Sequence, residues 1–264
     1  WPAPLHVATA TWSPARKSQT GVALLRPPAD LLVSRATNFE AQNIANMSWA
    51  LSRLEFRHEP LWDSLASQAR PIVPLFVPME LASIAWAFAT LANASPPLMQ
   101  SIASAALPKL QDFTALDLAN TASSFADLFV IHQPLRDAIA AEALRRIHDF
   151  VASDIAITSW SVATLTGGHG TLLEALASAA IRKMSQFSSL DIGKMLWAFA
   201  KCSFTDQQLL AAISAQAIPR LSDFGVQQLA STVWSFATLP VPHDPLSSAI
   251  AASAIPPLRQ FSQQ

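Results

Sequence analysis

The stretch that decides the fold is residues 187–209, FSSLDIGKMLWAFAKCSFTDQQL, because its main features return every 37 residues along the chain. Its first residue belongs to a column that holds half of the 14 phenylalanines in the sequence. The members of this column are Phe39, Phe76, Phe113, Phe150, Phe187, Phe224 and Phe261. Self-similarity at a fixed short period is the signature of a repeat protein.

Three further columns follow the same period and give each repeat an internal order. The position ten residues after each Phe is tryptophan in all copies but one: Trp49, Trp86, Ser123, Trp160, Trp197 and Trp234. A leucine column contains Leu61, Leu98, Leu135, Leu172, Leu209 and Leu246, and an alanine column contains Ala69, Ala106, Ala143, Ala180, Ala217 and Ala254. This order predicts a stack in which each unit contacts only its neighbours.

The composition fits such a stack, since the chain is 51% hydrophobic and only 13% charged. An ordinary soluble domain is about 25% charged, so most helices are expected to be buried on two sides. The uncharged run of residues 81–108 is longer than the roughly 20 residues of a membrane helix. Asn93, Ser95, Pro96 and Pro97 interrupt it, which predicts two helices and a turn rather than a membrane span.

The first 37 residues follow the pattern only weakly. They carry Arg16, Lys17, Arg26 and Arg35 against a single acid, Asp30, a bias that suits the end of an organellar transit peptide. They also keep traces of the repeat: Trp12 precedes Trp49 by 37 residues, and Leu24 precedes Leu61 by 37. We therefore predict a degenerate repeat or linker over residues 1–37 and about six tandem repeats over residues 38–264.

Each repeat is expected to form two helices. The first opens with an acid or an amide, which suits the exposed amides of a first turn: Asn43, Glu80, Asp117, Asp154, Asp191 and Gln228. Thr114 and Ser188 precede that acid by three residues, the spacing of a capping box. The second helix has a buried stripe and ends in basic residues: Lys109, Arg145, Arg146, Arg182, Lys183 and Arg220. These basic groups have two interpretations, pairing with the helix C-terminal dipole or contact with phosphate. The predicted fold is all-α, a right-handed α-solenoid of 37-residue helix-turn-helix repeats.

A helical wheel of the first helix predicts two buried sides. Ile192 and Phe199 lie on one side, and Trp197 lies with the small Gly193 on another. We expect the indole to fill the gap beside the small residue, so truncating Trp197 to Ala is predicted to cost about 3–5 kcal/mol.

What remains on the first helix is a stripe at positions i, i+3, i+7 and i+10, counted from the acid or amide. Its residues are polar or small and differ between copies, as in Asp191, Lys194, Ala198 and Lys201. One interpretation is a solvated face. The other is the inner face of a superhelix that presents polar side chains to an extended ligand.

The motif L-x-x-x-x-W-x-F-x-x-L resembles a known group of repeats. It occurs as Leu81, Trp86, Phe88 and Leu91, and again as Leu229, Trp234, Phe236 and Leu239. It resembles the heptatricopeptide repeats of alveolate organellar proteins. It is also similar to octotricopeptide and FAST-kinase-like repeats, and to the helical-repeat subunits of the mitochondrial RNA-editing substrate-binding complex. The likeness covers roughly residues 39–264.

This resemblance implies a soluble mitochondrial or plastid protein that binds single-stranded RNA and acts in RNA stability, processing or translation. In that group the first helix of each unit is expected to face the RNA, where polar side chains can hydrogen-bond to base edges. The candidate RNA-binding residues are therefore Asn46, Ser83, Asn120, Lys194 and Ser231, with Arg53 and Lys201 in the same stripe. Ile157 interrupts the polar column.

The charge balance leaves a second function open. The chain has 17 basic and 18 acidic residues and a pI of about 6.6, whereas RNA-binding domains usually carry a basic stripe. RNA binding thus requires segregated charge. The alternative is a non-catalytic scaffold that binds other proteins within an organellar assembly.

An enzyme is not expected, and neither is a cofactor or a metal. The six histidines include no pair at the i, i+4 spacing that a metal site on a helix uses. The single cysteine, Cys202, excludes an internal disulfide and occupies a column that is otherwise leucine, which indicates a core position.

Overall fold

The computed structural model describes residues 39–93, 95–165, 170–239 and 249, and every regular element in these residues is helical. The prediction of an all-α fold is therefore confirmed. The first helices of the repeats are α1 Ala41–Arg53, α3 Pro78–Thr90, α5 Ala115–Asp127, α7 Ala152–Thr164, α9 Ser189–Lys201 and α11 Val226–Thr238. The second helices are α2 Glu59–Ile72, α4 Pro96–Ala106, α6 Gln133–Arg145, α8 Gly170–Lys183 and α10 Gln207–Ala217. The first helices begin 37 residues apart and are each 13 residues long.

The chain divides into two compact units, Trp1–Glu142 and Ala143–Gln264. In the first unit α1 packs against α3 and α3 against α5, while α2 packs against α4. In the second unit α7 packs against α9 and α9 against α11, while α8 packs against α10. In both units the first helices make the most extensive contacts. Packing between neighbouring helices is as predicted, the handedness of a solenoid stays a prediction, and the expected division after residue 37 lies outside the described residues.

The phenylalanine column is part of the core, as expected for an anchor. Phe76, Phe113, Phe150 and Phe187 are almost completely buried. Phe76 follows a 3-10 turn, Val73–Leu75, and donates its backbone N–H to the carbonyl of Val73 at 3.1 Å. The described members of the leucine and alanine columns are equally buried: Leu61, Leu98, Leu135, Leu172 and Leu209, with Ala69, Ala106, Ala143, Ala180 and Ala217. The columns that are constant within the chain therefore form the interior.

The two predicted capping boxes are present at the starts of α5 and α9. Asp117 N–H donates to Thr114 Oγ1 at 3.1 Å, and Thr114 N–H donates to Asp117 Oδ2 at 3.0 Å. Ser188 and Asp191 make the same reciprocal pair at 3.2 and 3.0 Å. The acid column therefore caps helices, because its carboxylates bind amides that the first turn leaves unpaired.

Four of the first helices are followed, two residues after they end, by a residue with left-handed backbone. Glu55, Ala92, Phe129 and Ser203 have φ of 53, 53, 52 and 51°. The next N–H in each case donates to the carbonyl five residues earlier, as Phe204 does to Phe199 at 2.9 Å. This is the hydrogen-bond pattern of a Schellman motif. It reverses the chain toward the second helix without a glycine.

Three basic residues at the ends of second helices connect consecutive repeats. Lys183 Nζ donates to the carbonyls of His148 and Phe150 at 3.0 and 2.5 Å, and Lys109 Nζ reaches Pro74 and Phe76 at 2.7 and 2.6 Å. Arg220 donates to the Phe187 carbonyl at 3.0 Å in the same way. These cations therefore bind carbonyls at the end of the preceding repeat. The expected interaction with a helix C-terminus is present, but with the previous helix rather than their own.

Candidate nucleic-acid interface

All seven candidate RNA-binding residues lie on first helices and keep access to solvent. Asn46, Arg53 and Lys201 are exposed. Ser83, Asn120, Lys194 and Ser231 are half-buried. The structure therefore places each of them where a ligand can reach it, three on α1 and α3, one on α5 and three on α9 and α11.

The predicted stripe was wrong at its i+7 position, which is buried in every repeat: Ala50, Ala87, Ser124, Ser161, Ala198 and Ser235. The three serines satisfy their hydroxyls inside the helix. Ser124 Oγ donates to the Asn120 carbonyl at 2.6 Å, and Ser161 and Ser235 each bond the carbonyl four residues back at 2.7 and 2.6 Å. These small residues lie in the interior, so this column offers nothing to a ligand.

The prediction that the tryptophan column lies in the core is also wrong, because its indoles are partly exposed. Trp49, Trp86, Trp160 and Trp197 are half-buried, and Trp234 is 46% exposed. In α3 and α9 the phenylalanine two residues later fills the core instead, with Phe88 at 0% and Phe199 at 1% exposure. The expected cost of 3–5 kcal/mol for Trp197→Ala therefore applies to the buried phenylalanine and not to the indole.

The accessible side of each first helix consists of the columns at i+3, i+6 and i+10, with tryptophan in the middle. We call this the tryptophan face. Its residues are Asn46, Trp49 and Arg53; Ser83, Trp86 and Thr90; Asn120, Ser123 and Asp127; Ile157, Trp160 and Thr164; Lys194, Trp197 and Lys201; Ser231, Trp234 and Thr238. Thr164 is the buried member of this set. An indole between two polar side chains offers both an apolar surface and hydrogen-bonding groups.

Two indoles of the second unit lie against each other. The ring centroids of Trp160 and Trp197 are 6.3 Å apart and their planes are inclined by 32°. They meet because α7 and α9 pack side by side and carry tryptophan at the same position. Lys201 Nζ lies 4.8 Å from the centroid of the Trp197 ring, a cation–π contact of about 0.5–1 kcal/mol when exposed.

Much of the remaining positive charge has protein partners. Arg146 pairs with Asp149 at 3.1 Å and Arg220 with Asp223 at 3.4 Å, each within one turn. Lys109 and Lys183 bind backbone carbonyls, as described above. The ends of the second helices therefore present less free charge than the sequence suggests, and the basic groups of the tryptophan face are Arg53, Lys194 and Lys201.

Two titratable groups near these helices are shifted by burial. Burial raises the pKa of Asp154, although the Val151 N–H and the Lys183 charge act in the opposite direction. Burial likewise raises the pKa of the Cys202 thiol, against a smaller effect of Lys201. A raised thiol pKa reduces the thiolate fraction, so Cys202 is not activated for reaction.

The described residues contain no cluster of three or more His, Cys, Asp or Glu side chains able to hold a metal ion. In the same part of the chain, no helix is long and apolar enough to cross a membrane.

The paired helices, the side-by-side first helices and the tryptophan face define the chain as an all-α protein of helical-repeat type. Comparison with protein families assigns it further, because the RNA-editing substrate-binding complex 6 protein family matches residues 21–259. The chain belongs to that family. The resemblance to subunits of an RNA-editing complex is confirmed to this extent, whereas the heptatricopeptide and octotricopeptide subtypes stay predictions. No curated protein matches the sequence.

Proposed function

We propose that this chain is a non-catalytic subunit of an RNA-editing substrate-binding assembly in a mitochondrion or plastid, and that it binds single-stranded RNA on the tryptophan face. Family membership supports the assembly, and the resemblance of the repeat motif supports the organelle. The observation that carries the RNA contact is the partial exposure of all five tryptophans of this column. By contrast, five members of the phenylalanine column are buried: Phe76, Phe113, Phe150, Phe187 and Phe224.

The residue types of this face match the groups that single-stranded RNA offers. Bases stack on aromatic side chains with about 1–3 kcal/mol each. Asn46, Ser83, Asn120 and Ser231 supply donors and acceptors for base edges. Arg53, Lys194 and Lys201 supply charge for phosphates. With three such cations, log K should fall with log salt concentration with a slope of about −2, from about −0.7 per phosphate on a single strand.

Titration of the full chain with an unstructured single-stranded RNA and with its duplex, over a range of salt concentrations, tests this proposal. We expect tighter binding to the single strand, and weaker binding when Asn120 and Lys194 are both changed to Ala. Arg182→Gln is the charge control, since Arg182 is exposed on a second helix. No binding by the unmodified chain at low salt would refute RNA binding.

A second candidate function, a protein-binding scaffold, is favoured by exposed apolar side chains in the turn before α3 and at the starts of α3 and α5. Leu75 is 73%, Met79 63% and Leu116 53% exposed. Protein partners that remain bound after nuclease digestion, and that are lost when Met79 and Leu116 are changed to Lys, would support a scaffold. Unchanged RNA affinity in that variant would separate the two functions.

A further inference from the structure

We infer that α7 and α9 form an anchor site for an unpaired nucleotide of single-stranded RNA. In this site a base lies on the Trp160 and Trp197 indoles, and Lys194 and Lys201 bind the adjacent phosphates. The inference rests on the proposed RNA-binding function. It adds which helices hold the RNA most strongly.

The first support is the joined surface of the two indoles. Because the Trp160 and Trp197 centroids are only 6.3 Å apart, they form one apolar area that is larger than a single ring. Every nucleobase has a π-face, so such an area accepts bases without regard to sequence. The corresponding residue of α5 is Ser123, which has no ring for stacking.

The second support is the position of positive charge. On α9 the tryptophan has a lysine one turn before it and another one turn after it, Lys194 and Lys201. In the other first helices at most one of these two positions is basic, and that one is Arg53 on α1. Stacking area and charge therefore coincide on α9.

The third support is the contact between Lys201 and Trp197. The ammonium lies 4.8 Å from the ring centroid, against an indole that is half-buried. Base stacking is a stronger interaction than an exposed cation–π contact. An incoming base therefore displaces the ammonium, which becomes available to a phosphate of the same strand.

The test compares RNA affinity between matched variants, with a fluorescein-labelled unstructured 20-nucleotide RNA as the probe. Trp197→Ala is expected to weaken binding about 5- to 160-fold, the loss of one stacked base, and Trp197→Phe to restore most of it. Trp86→Ala removes the equivalent indole of α3 and is expected to have a smaller effect. Lys201→Gln should lower the salt slope by about 0.7, whereas Arg182→Gln should leave it unchanged.

Photo-crosslinking of the same RNA, substituted with 4-thiouridine, to the unmodified chain gives a readout that no variant can disturb by misfolding. Crosslinked peptides from α7 and α9 are the expected result. If RNA binds but crosslinks only elsewhere, or if Trp197→Ala weakens it no more than Trp86→Ala does, the anchor site is overturned while RNA binding stands. If the unmodified chain does not bind RNA at low salt, both the proposed RNA-binding function and the anchor site are wrong.

Discussion

The different environments of Trp197 and Phe199 lead to a quantitative prediction about stability. Phe199 is 1% exposed and its ring lies 5.2 Å from that of Phe204. Phe199→Ala should therefore lose about 3–5 kcal/mol, because it removes buried surface and leaves a cavity.

Trp197→Ala should cost less, because Trp197 is only half-buried. A tryptophan buries about 150–250 Å² in a core, so about 100 Å² is at stake here. At about 25 cal/mol per Å² this corresponds to about 2.5 kcal/mol. No closed cavity remains, and Ala is the better helix former by several tenths of a kcal/mol. We expect a net loss of about 2 kcal/mol.

Urea denaturation of the two variants and the unmodified chain, followed by circular dichroism, measures the difference directly. Trp86→Ala and Phe88→Ala repeat the comparison in the first unit, where Trp86 is half-buried and Phe88 is fully buried. If the two variants of a pair lose equal stability, or if the tryptophan variant loses more, the indoles are core residues. The tryptophan face would then have no basis.

Three further predictions concern single contacts. Lys183→Met should destabilise the chain by about 1–2 kcal/mol in urea, because it removes two partly exposed hydrogen bonds from the ammonium to the carbonyls of the preceding repeat; Arg182→Met should stay within about 0.5 kcal/mol. Burial raises the pKa of Asp154, so the protonated carboxyl favours the folded chain, and stability is lost as pH rises from the unfolded pKa through the folded pKa. Asp154→Asn should therefore gain stability relative to the unmodified chain as pH rises above about 4, and a pH-independent difference in urea midpoints would contradict this. Gly193→Ala should raise the free energy of unfolding by up to about 1 kcal/mol, because the added methyl would lie 3.8 Å from Gln228 Cβ, an ordinary van der Waals distance. A lower free energy of unfolding would show that α9 and α11 pack more tightly there.

The fold could be predicted well from the sequence because the same pattern of buried and capping residues recurs in several repeats. Phe76 and Phe113 are constant members of one column, and both are buried. The capping box at Ser188 follows from the spacing of two residues and needs no tertiary information. Patterns of this local or repeated kind survive in the structure almost unchanged.

The candidate site was predicted less completely, since a helical wheel gives directions but not neighbours. Trp197 and Phe199 are both large and apolar, and only the packing of α9 against α7 and α11 decides which one faces outward. One signal was available in the sequence. The tryptophan column contains Ser123, and a serine in place of an indole would leave a large hole in a core.

The roles of the basic residues also depend on tertiary contacts. Lys183 binds carbonyls 33 and 35 residues earlier in the chain, a partner that no local pattern predicts. Helix dipoles alone would have placed its partner within its own helix.

The left-handed turns offer a practical consequence. Glu55, Ala92, Phe129 and Ser203 each hold a side chain where glycine would relieve about 1–2 kcal/mol of steric conflict, less about 0.5–1 kcal/mol for the freer unfolded chain. None of these residues belongs to the tryptophan face. Glycine at all four positions should therefore give a more stable protein whose tryptophan face is unchanged. Such a form would suit the long incubations that crosslinking and crystallisation require.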